Sequence, residues 1–462
     1  MPDKKKNKIL LIACVMIAIT IFVMFLYTDV METTRDGITF WTALFTGRIR
    51  EFYCMNSNVV ISNQFGISTA AIYDLPVYIM TAIWNLPLWI YEKVTGLYAL
   101  DNIVGVLWAK AISLPYLFGV YCCVIKIGKM IKGEMCEKEL VAMEMLTSIF
   151  LFTPVLVMGQ YDAMALFFIM LGCYYYIQGN NRLFILWFAV AMPFKLFAMF
   201  VYIPLILLKE KKVVKVIIEF LLGSSFLIFC KIIQGAVFIQ DTSGADYLSD
   251  HLLTFIFQSQ LGLVYGSSSI FFVLFILVCF FCYFKETPNE KEIGKWAIYV
   301  SLLGLLSFFI GSLTHPQWSL LLLPFCALCV CCADKEQVKN GMLIETVFST
   351  GLLLSQLIYY YWVFNIKTGV YTVAGKLFYD GQKDLSYSVR DILGKIAGMD
   401  AGNLNLIGGG VFLAGVICFL FWSYPDRREI KFAQTDLSNR ALIGIRLLLI
   451  GIVSVILIGL ML

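Results

Sequence analysis

The residues best suited to chemistry in this sequence are a few ionisable and polar side chains set among long apolar runs. Asp29, Glu32, Arg35 and Asp36 follow the first run. Gln160 and Asp162 open another, and Lys195 lies between Pro193 and Pro204. His315 and Gln317 share the turn Thr314-His315-Pro316-Gln317-Trp318. An ionisable group at membrane depth costs roughly 2.5–3.5 kcal/mol on insertion scales, so each is a functional candidate by default. A carboxylate suits general-base work. A lysine and a histidine suit an anion whose charge grows as a bond breaks. Plainer roles compete. Asp36 fits an acid near a helix N-terminus, Lys195 can snorkel, Asp162 can simply neutralise Lys195, and His315-Pro316 can be an ordinary turn. His251, beside Asp246 and Asp250, reads as solvated.

The elements that must position these groups are membrane helices. Of 462 residues, 60% are hydrophobic and 14% charged, against about 25% charged in soluble domains. The expected fold class is an all-α, polytopic integral membrane protein. Four lysines precede the run Ile9–Tyr27, which reads as a signal anchor with a cytosolic N-terminus. The next basic loop, Lys126–Lys138, should also be cytosolic, so a single inward pass over Asn102–Ile125 leaves 28–101 as one large outer loop. Within it Ile38, Trp41, Leu44 and Phe45 share a helical face, ended by Gly47, and Asp36 stands at the expected start of that helix. Tyr73–Tyr91, broken by Pro76 and Pro87, reads as an interface-hugging or dipping helix.

Leu183–Leu208 has basic flanks on both sides, so two half-helices turning at Pro193 and Lys195 keep both flanks cytosolic. Broken helices are tolerated where they line a cavity or pack inside protein. Adding the later runs gives about thirteen transmembrane helices, counting the hairpin as two. This divides the chain into a catalytic module, 1–212, and a C-terminal membrane module, 213–462, that contributes the His315 turn. Asp29, Glu32, Asp36, Gln160, Asp162, Lys195, His315 and Gln317 then all face the outer side. Cys326, Cys329, Cys331 and Cys332 have metal-like spacing but lie in an apolar run and read as buried small residues. No basic stripe or zinc pattern points to nucleic acid.

Met158-Gly159-Gln160-Tyr161-Asp162 resembles an element of the GT-C superfamily of membrane glycosyltransferases. Pro193-Phe194-Lys195-Leu196-Phe197, followed by Tyr202-Ile203-Pro204, is similar to the element that follows it. His315-Pro316-Gln317-Trp318 through Pro324-Phe325 resembles a stretch of the dolichol-phosphate-glucose-dependent glucosyltransferases, with Pro-Gln-Trp where Glu-Lys follows the histidine there. The first outer loop, with an early acid, Gly47 to Phe52-Tyr53, and Tyr73-Asp74-Leu75-Pro76-Val77-Tyr78, also fits. GPI-type mannosyltransferases are similar too.

The resemblance implies transfer of a hexose, with inversion, from a polyprenyl-phosphate donor to a lipid-linked or cell-surface glycan outside the cytosol. It casts Asp36 as base, with Asp29 and Glu32 in reserve. Lys195 and His315 would hold phosphate, while Gln160, Asp162, Gln317, Tyr53 and Tyr73 would bind substrate. No cofactor is required by the pattern, and a divalent cation is left open. Donor, acceptor glycan and membrane lipid are the expected partners. The absence of any Asn-x-Ser/Thr sequon favours a bacterial plasma membrane. The competing expectation is a transporter or lipid-linked-glycan flippase, which would also use polar groups and a broken helix. The break at Pro193–Lys195, however, has no twin elsewhere in the chain.

Overall fold

The computed structural model describes residues 2–56, 59–67, 73–133, 136–239, 255–264, 266–426 and 433–462. His251, Asp246 and Asp250 lie outside the described residues. Helices dominate, joined by two small antiparallel hairpins, β1 (Val60–Ser62) with β2 (Gly66–Ile67) and β3 (Gln260–Leu263) with β4 (Gly266–Ser269). Neither hairpin was expected from the sequence.

In chain order the principal helices are α1 (Pro2–Met24), α2 (Asp29–Phe45), α3 (Leu75–Thr95), α4 (Ile103–Lys110), α5 (Ser113–Lys132) and α6 (Lys138–Thr147). After a π-helical turn, Phe152–Val157, come α7 (Ala163–Ile177), α8 (Asn181–Ala191), α9 (Met199–Lys209), α10 (Val213–Val237), α11 (Ile270–Phe284) and α12 (Ile293–Gly311). A 3-10 turn, Pro316–Leu322, leads into α13 (Leu323–Cys331), then α14 (Val338–Tyr359), α15 (Ala401–Ser423) and α16 (Asn439–Gly459).

The protein is a multi-pass membrane protein. Among the described residues, seven helical spans are long and apolar enough to cross a bilayer: Lys5–Met24, Ile103–Lys132, Val213–Val237, Ile293–Gly311, Val338–Tyr359, Ala401–Ser423 and Asn439–Gly459. An eighth is bent by 62°, where Lys138–Thr147 meets Ile149–Val157. The other expected crossings are helical but short: Ala163–Ile177, Asn181–Ala191, Leu196–Lys209, Ile270–Phe284 and Pro316–Cys331. At 1.5 Å per residue, 11 residues span only about 16 Å. These helices are therefore shorter than a straight bilayer crossing.

Packing separates centre from rim. In Ile293–Gly311, 78% of the most apolar window is buried, against 17% in Val213–Val237. α12 is a central pillar and α10 is peripheral. One buried apolar cluster runs from Cys14 to Met461, through both halves of the chain.

The stretch expected to be broken at Pro76 and Pro87 is the continuous helix α3, with Pro76 in its first turn and Pro87 inside it. The break expected at Pro193–Lys195 has a clear physical form. Phe184 and Phe188 of α8 pack on Tyr202 of α9, with ring centroids 5.1 and 4.8 Å apart. Asn181, which opens α8, and Tyr202 both hydrogen-bond Glu219 at 2.7 Å. The chain has therefore folded back at Met192–Lys195, as the basic flanks required.

After α1, α2 begins at Asp29, two turns ahead of the expected start at Asp36. The Thr28 carbonyl accepts the N–H groups of Met31 (2.8 Å) and Glu32 (3.1 Å). Asp29 and Glu32 fall in the first turn, where negative charge complements the helix N-terminus. Asp36 is therefore a mid-helix residue and not an N-terminal acid. The helix ends at Thr46-Gly47, where Gly47 takes φ 71°. α3 has 21 residues but is not among the helices apolar enough to cross. It packs closely over α2, because a Cβ on Gly37 would stand 2.8 Å from the Thr81 backbone.

Candidate functional site

Asp29, Glu32 and Asp36 stand at i, i+3 and i+7 on α2, so they form a carboxylate stripe on one helix face. Gln160 Nε2 donates to Asp29 Oδ2 at 3.0 Å. Lys195 Nζ pairs with Asp162 Oδ1 at 2.9 Å, with the Asp162 side chain 2% exposed. Among the described residues Asp162 Oδ2 has no hydrogen-bond partner. The rings of Phe197 and Trp318 each lie 5.6 Å from the Lys195 ammonium. His315 packs against Trp318 (5.0 Å), Tyr360 (4.9 Å) and Phe255 (5.2 Å).

Short helices explain how these groups meet. Asp162 caps α7 and Lys195 is the tip of the α8–α9 hairpin. His315 precedes the short helix Pro316–Cys331. Three short elements end at one level, with the first turn of α2 beside them through the Asp29–Gln160 bond.

Burial sets the proton affinities on α2, which is outside the membrane-spanning helices. It lifts the Asp29 carboxyl from 3.8 to about 6, partly offset by the Gln160 hydrogen bond and Lys195. Burial, with Asp29 beside it, lifts Glu32 from 4.5 to about 7. Asp36 is raised well above the usual carboxylate range by burial and then by Glu32, while Arg35 opposes. In the turn before Pro316, burial and then Lys195 push His315 down to about 4. It is therefore neutral at pH 7 and can meet an anion only as a hydrogen-bond donor.

The other site candidates divide. Tyr73 joins the cluster, its ring edge-on to Tyr161 at 5.0 Å. Tyr53 packs instead with Phe52, Tyr78 and Phe238. Asp36 is 2% exposed, and among the described residues its Oδ1 has no hydrogen-bond partner. The Gln317 Oε1 is likewise buried without one among the described residues. No three His, Cys, Asp or Glu side chains among the described residues are grouped so as to hold a metal ion.

Sequence reasoning missed the residue that welds the site together. Lys110 is fully buried, and its ammonium donates to the carbonyls of Phe22 (2.7 Å), Phe25 (2.5 Å) and Leu156 (2.7 Å). Two of those carbonyls close α1, four to seven residues before Asp29. The third lies four residues before Gln160. Lys110 thus fastens the two backbones that bring Asp29 and Gln160 together. Gly159 leaves room for it: at φ 81° a Cβ there would sit 2.6 Å from Lys110 Cγ.

A second buried group was also missed. Arg446 pairs with Glu144 at 2.8 Å and with Glu345, and donates to Thr346 Oγ1 at 2.7 Å. It joins α6, α14 and α16 and includes none of the site candidates. An ionisable residue inside an apolar span was the available signal for Lys110, Glu144, Glu345 and Arg446 alike.

No protein-family model matches this chain, and no curated protein matches it.

Proposed function

We propose that this membrane protein is a polyprenyl-phosphate-sugar-dependent glycosyltransferase, with Asp29 as general base. The observation that carries the reading is the meeting of the Asp29–Gln160 bond with the Lys195–Asp162 pair at the ends of short helices. A base works best when its pKa lies near the operating pH, and Asp29 at about 6 fits that need. Asp36, on the same face two turns on, is shut in by burial, which favours Asp29 over it.

The chemistry follows from the groups present. Asp29 takes the proton of an acceptor hydroxyl as its oxygen attacks the anomeric carbon. The bond from that carbon to the donor phosphate breaks, and its electron pair leaves with the phosphate. Attack opposite the leaving group inverts the centre. The Lys195 ammonium, held by Asp162, stabilises the departing charge. Neutral His315 donates a hydrogen bond to the same oxygens. Tyr73 and Gln160 border the sugar, and a hexose is the proposed cargo.

In this reading the N-terminus is cytosolic, the site faces the opposite side, and the home membrane is the bacterial plasma membrane. The test is sugar transfer in proteoliposomes with a panel of short-chain polyprenyl-phosphate hexoses. Wild type should transfer sugar to a glycan acceptor or hydrolyse the donor, and Asp29→Asn should abolish both while remaining folded. If Asp29→Asn keeps full activity while Asp36→Asn loses it, the base is Asp36. Transport of an intact lipid-linked sugar with no transfer would make the protein a flippase.

A further inference from the structure

Beside the carboxylate stripe, α2, α3, Val59–Val60 and the residues after α3 border an open groove. Its cavity of about 550 Å³ is lined by Arg35, Thr39 and Thr42 of α2, Trp89 and Glu92 of α3, and Tyr98. Ligand sites typically measure about 300–1,000 Å³. Successive helical residues point about 100° apart, so Arg35 faces this cavity while its neighbour Asp36 belongs to the stripe.

The wall chemistry narrows the ligand. Arg35 NH1 and NH2 grip Glu92 at 2.8 and 2.7 Å, while Arg35 Nε and NH2 also donate to the Ile61 carbonyl. That spends the guanidinium, so a phosphate or carboxylate would find only the exposed Lys93 as a cation. Ile38, Val59, Val60 and Leu97 also line the wall, but an alkyl chain alone would leave the ion pair and the two threonines facing it unmatched. A polyol suits both facts, because each hydroxyl donates and accepts. The Thr39 hydroxyl makes no hydrogen bond to another described side chain or carbonyl. Trp89 is braced on one side by Phe45, stacked at 4.9 Å. Tyr98 is held over the Arg35 guanidinium, with its ring centre 5.2 Å away. Two rigid aromatic rings supply a large contact area at small entropic cost, and the C–H face of a pyranose stacks on such rings.

We propose that this cavity binds a hexopyranosyl residue and serves as the acceptor-glycan subsite. The saccharide specificity stands on the cavity itself; the acceptor role rests on the glycosyltransferase reading.

Saturation-transfer NMR on the full chain in nanodiscs tests the cavity without any reaction. The probes are methyl glycosides of glucose, mannose, galactose and N-acetylglucosamine. At least one should receive saturation from wild type, and Trp89→Ala should weaken its binding at least tenfold. Thr39→Val, which removes one hydroxyl and keeps the volume, should weaken it several-fold, and Trp89→Phe should restore part of the loss. No saturation of any probe overturns the proposal, as does binding that both variants retain with an unchanged melting temperature. Displacement of the bound glycoside by inorganic phosphate would show an anion site instead and also overturn it. Binding of a glycoside with no transfer from any donor supports the saccharide site and overturns its acceptor role together with the enzyme reading. Transfer without glycoside binding overturns the saccharide site and supports the enzyme reading.

Discussion

Asp29 should set the pH at which the proposed reaction switches on. Burial holds its carboxyl at about 6. A base of that strength is about one-tenth ionised at pH 5 and about nine-tenths at pH 7, so kcat/KM should fall roughly ninefold between them. An aspartate at its ordinary value of 3.8 would be ionised at both, and the rate would hardly change. Gln160 supplies the control, because its hydrogen bond favours the ionised form. A hydrogen bond to a charged group contributes about 1.5–3 kcal/mol, which is about one to two pKa units. Gln160→Leu should therefore move the acid limb upward, to about pH 7–8. The assay is initial transfer rate across roughly pH 4.5–8.5 in proteoliposomes. A wild-type limb below about pH 5, or a limb that Gln160→Leu leaves in place, refutes Asp29 as the base. Stability must follow with a defined sign. The folded pKa lies above the unfolded one, so the folded state pays nothing below pH 3.8, and loses stability as pH rises from 3.8 to about 6. Above that the cost is about 3 kcal/mol. Asp29→Asn should therefore raise the melting temperature at pH 8 and leave it unchanged near pH 3.5.

Other perturbations test the supports. Lys110→Met leaves three buried carbonyls without their donor, at about 1–3 kcal/mol each before relaxation. It should lower the melting temperature in detergent sharply, and an unchanged melt would show that the weld is dispensable. Gly159→Ala should do the same more mildly, through its positive φ and its clash with Lys110. Arg446→Leu strands two buried carboxylates and should cost about 3–5 kcal/mol, whereas adding Glu144→Gln and Glu345→Gln should recover much of it. Equal melts for the single and triple variants would refute that coupling. Gly37→Val drives a side chain into the Thr81 backbone. It should part α2 from α3 and expose Trp41, read as a red shift in tryptophan emission, while an unshifted spectrum would show that the helices stay packed.

The sequence alone determined the membrane class, because 60% hydrophobic and 14% charged residues leave no other way to bury the chain. Charge counting also found the α8–α9 turn. Arg182 before Leu183–Leu208, and Lys209, Lys211, Lys212 and Lys215 after it, restrict the path of the backbone before any packing is known. That polar residues set among apolar runs belong together was legible for the same reason, and Asp29, Gln160, Asp162, Lys195 and His315 do meet. Their pairing was not legible. Gln160 meets Asp29 across 131 residues and Lys195 meets Asp162 across 33. Hydropathy records depth in the membrane and carries no information on which neighbour a side chain will face. The start of α2 was misplaced because the periodic set read from the sequence began at Ile38, whereas Val30 and Met31, in the first turn, pack in the same buried cluster as Ile38. Lys110 is the one charged residue of the run Asn102–Ile125. Only the tertiary structure made it the donor for three carbonyls, because the ends of α1 and the π-helical turn come within its reach only after the helices pack. The cavity between α2 and α3 arose in the same way, from a close crossing that Gly37 permits and that no local pattern announces.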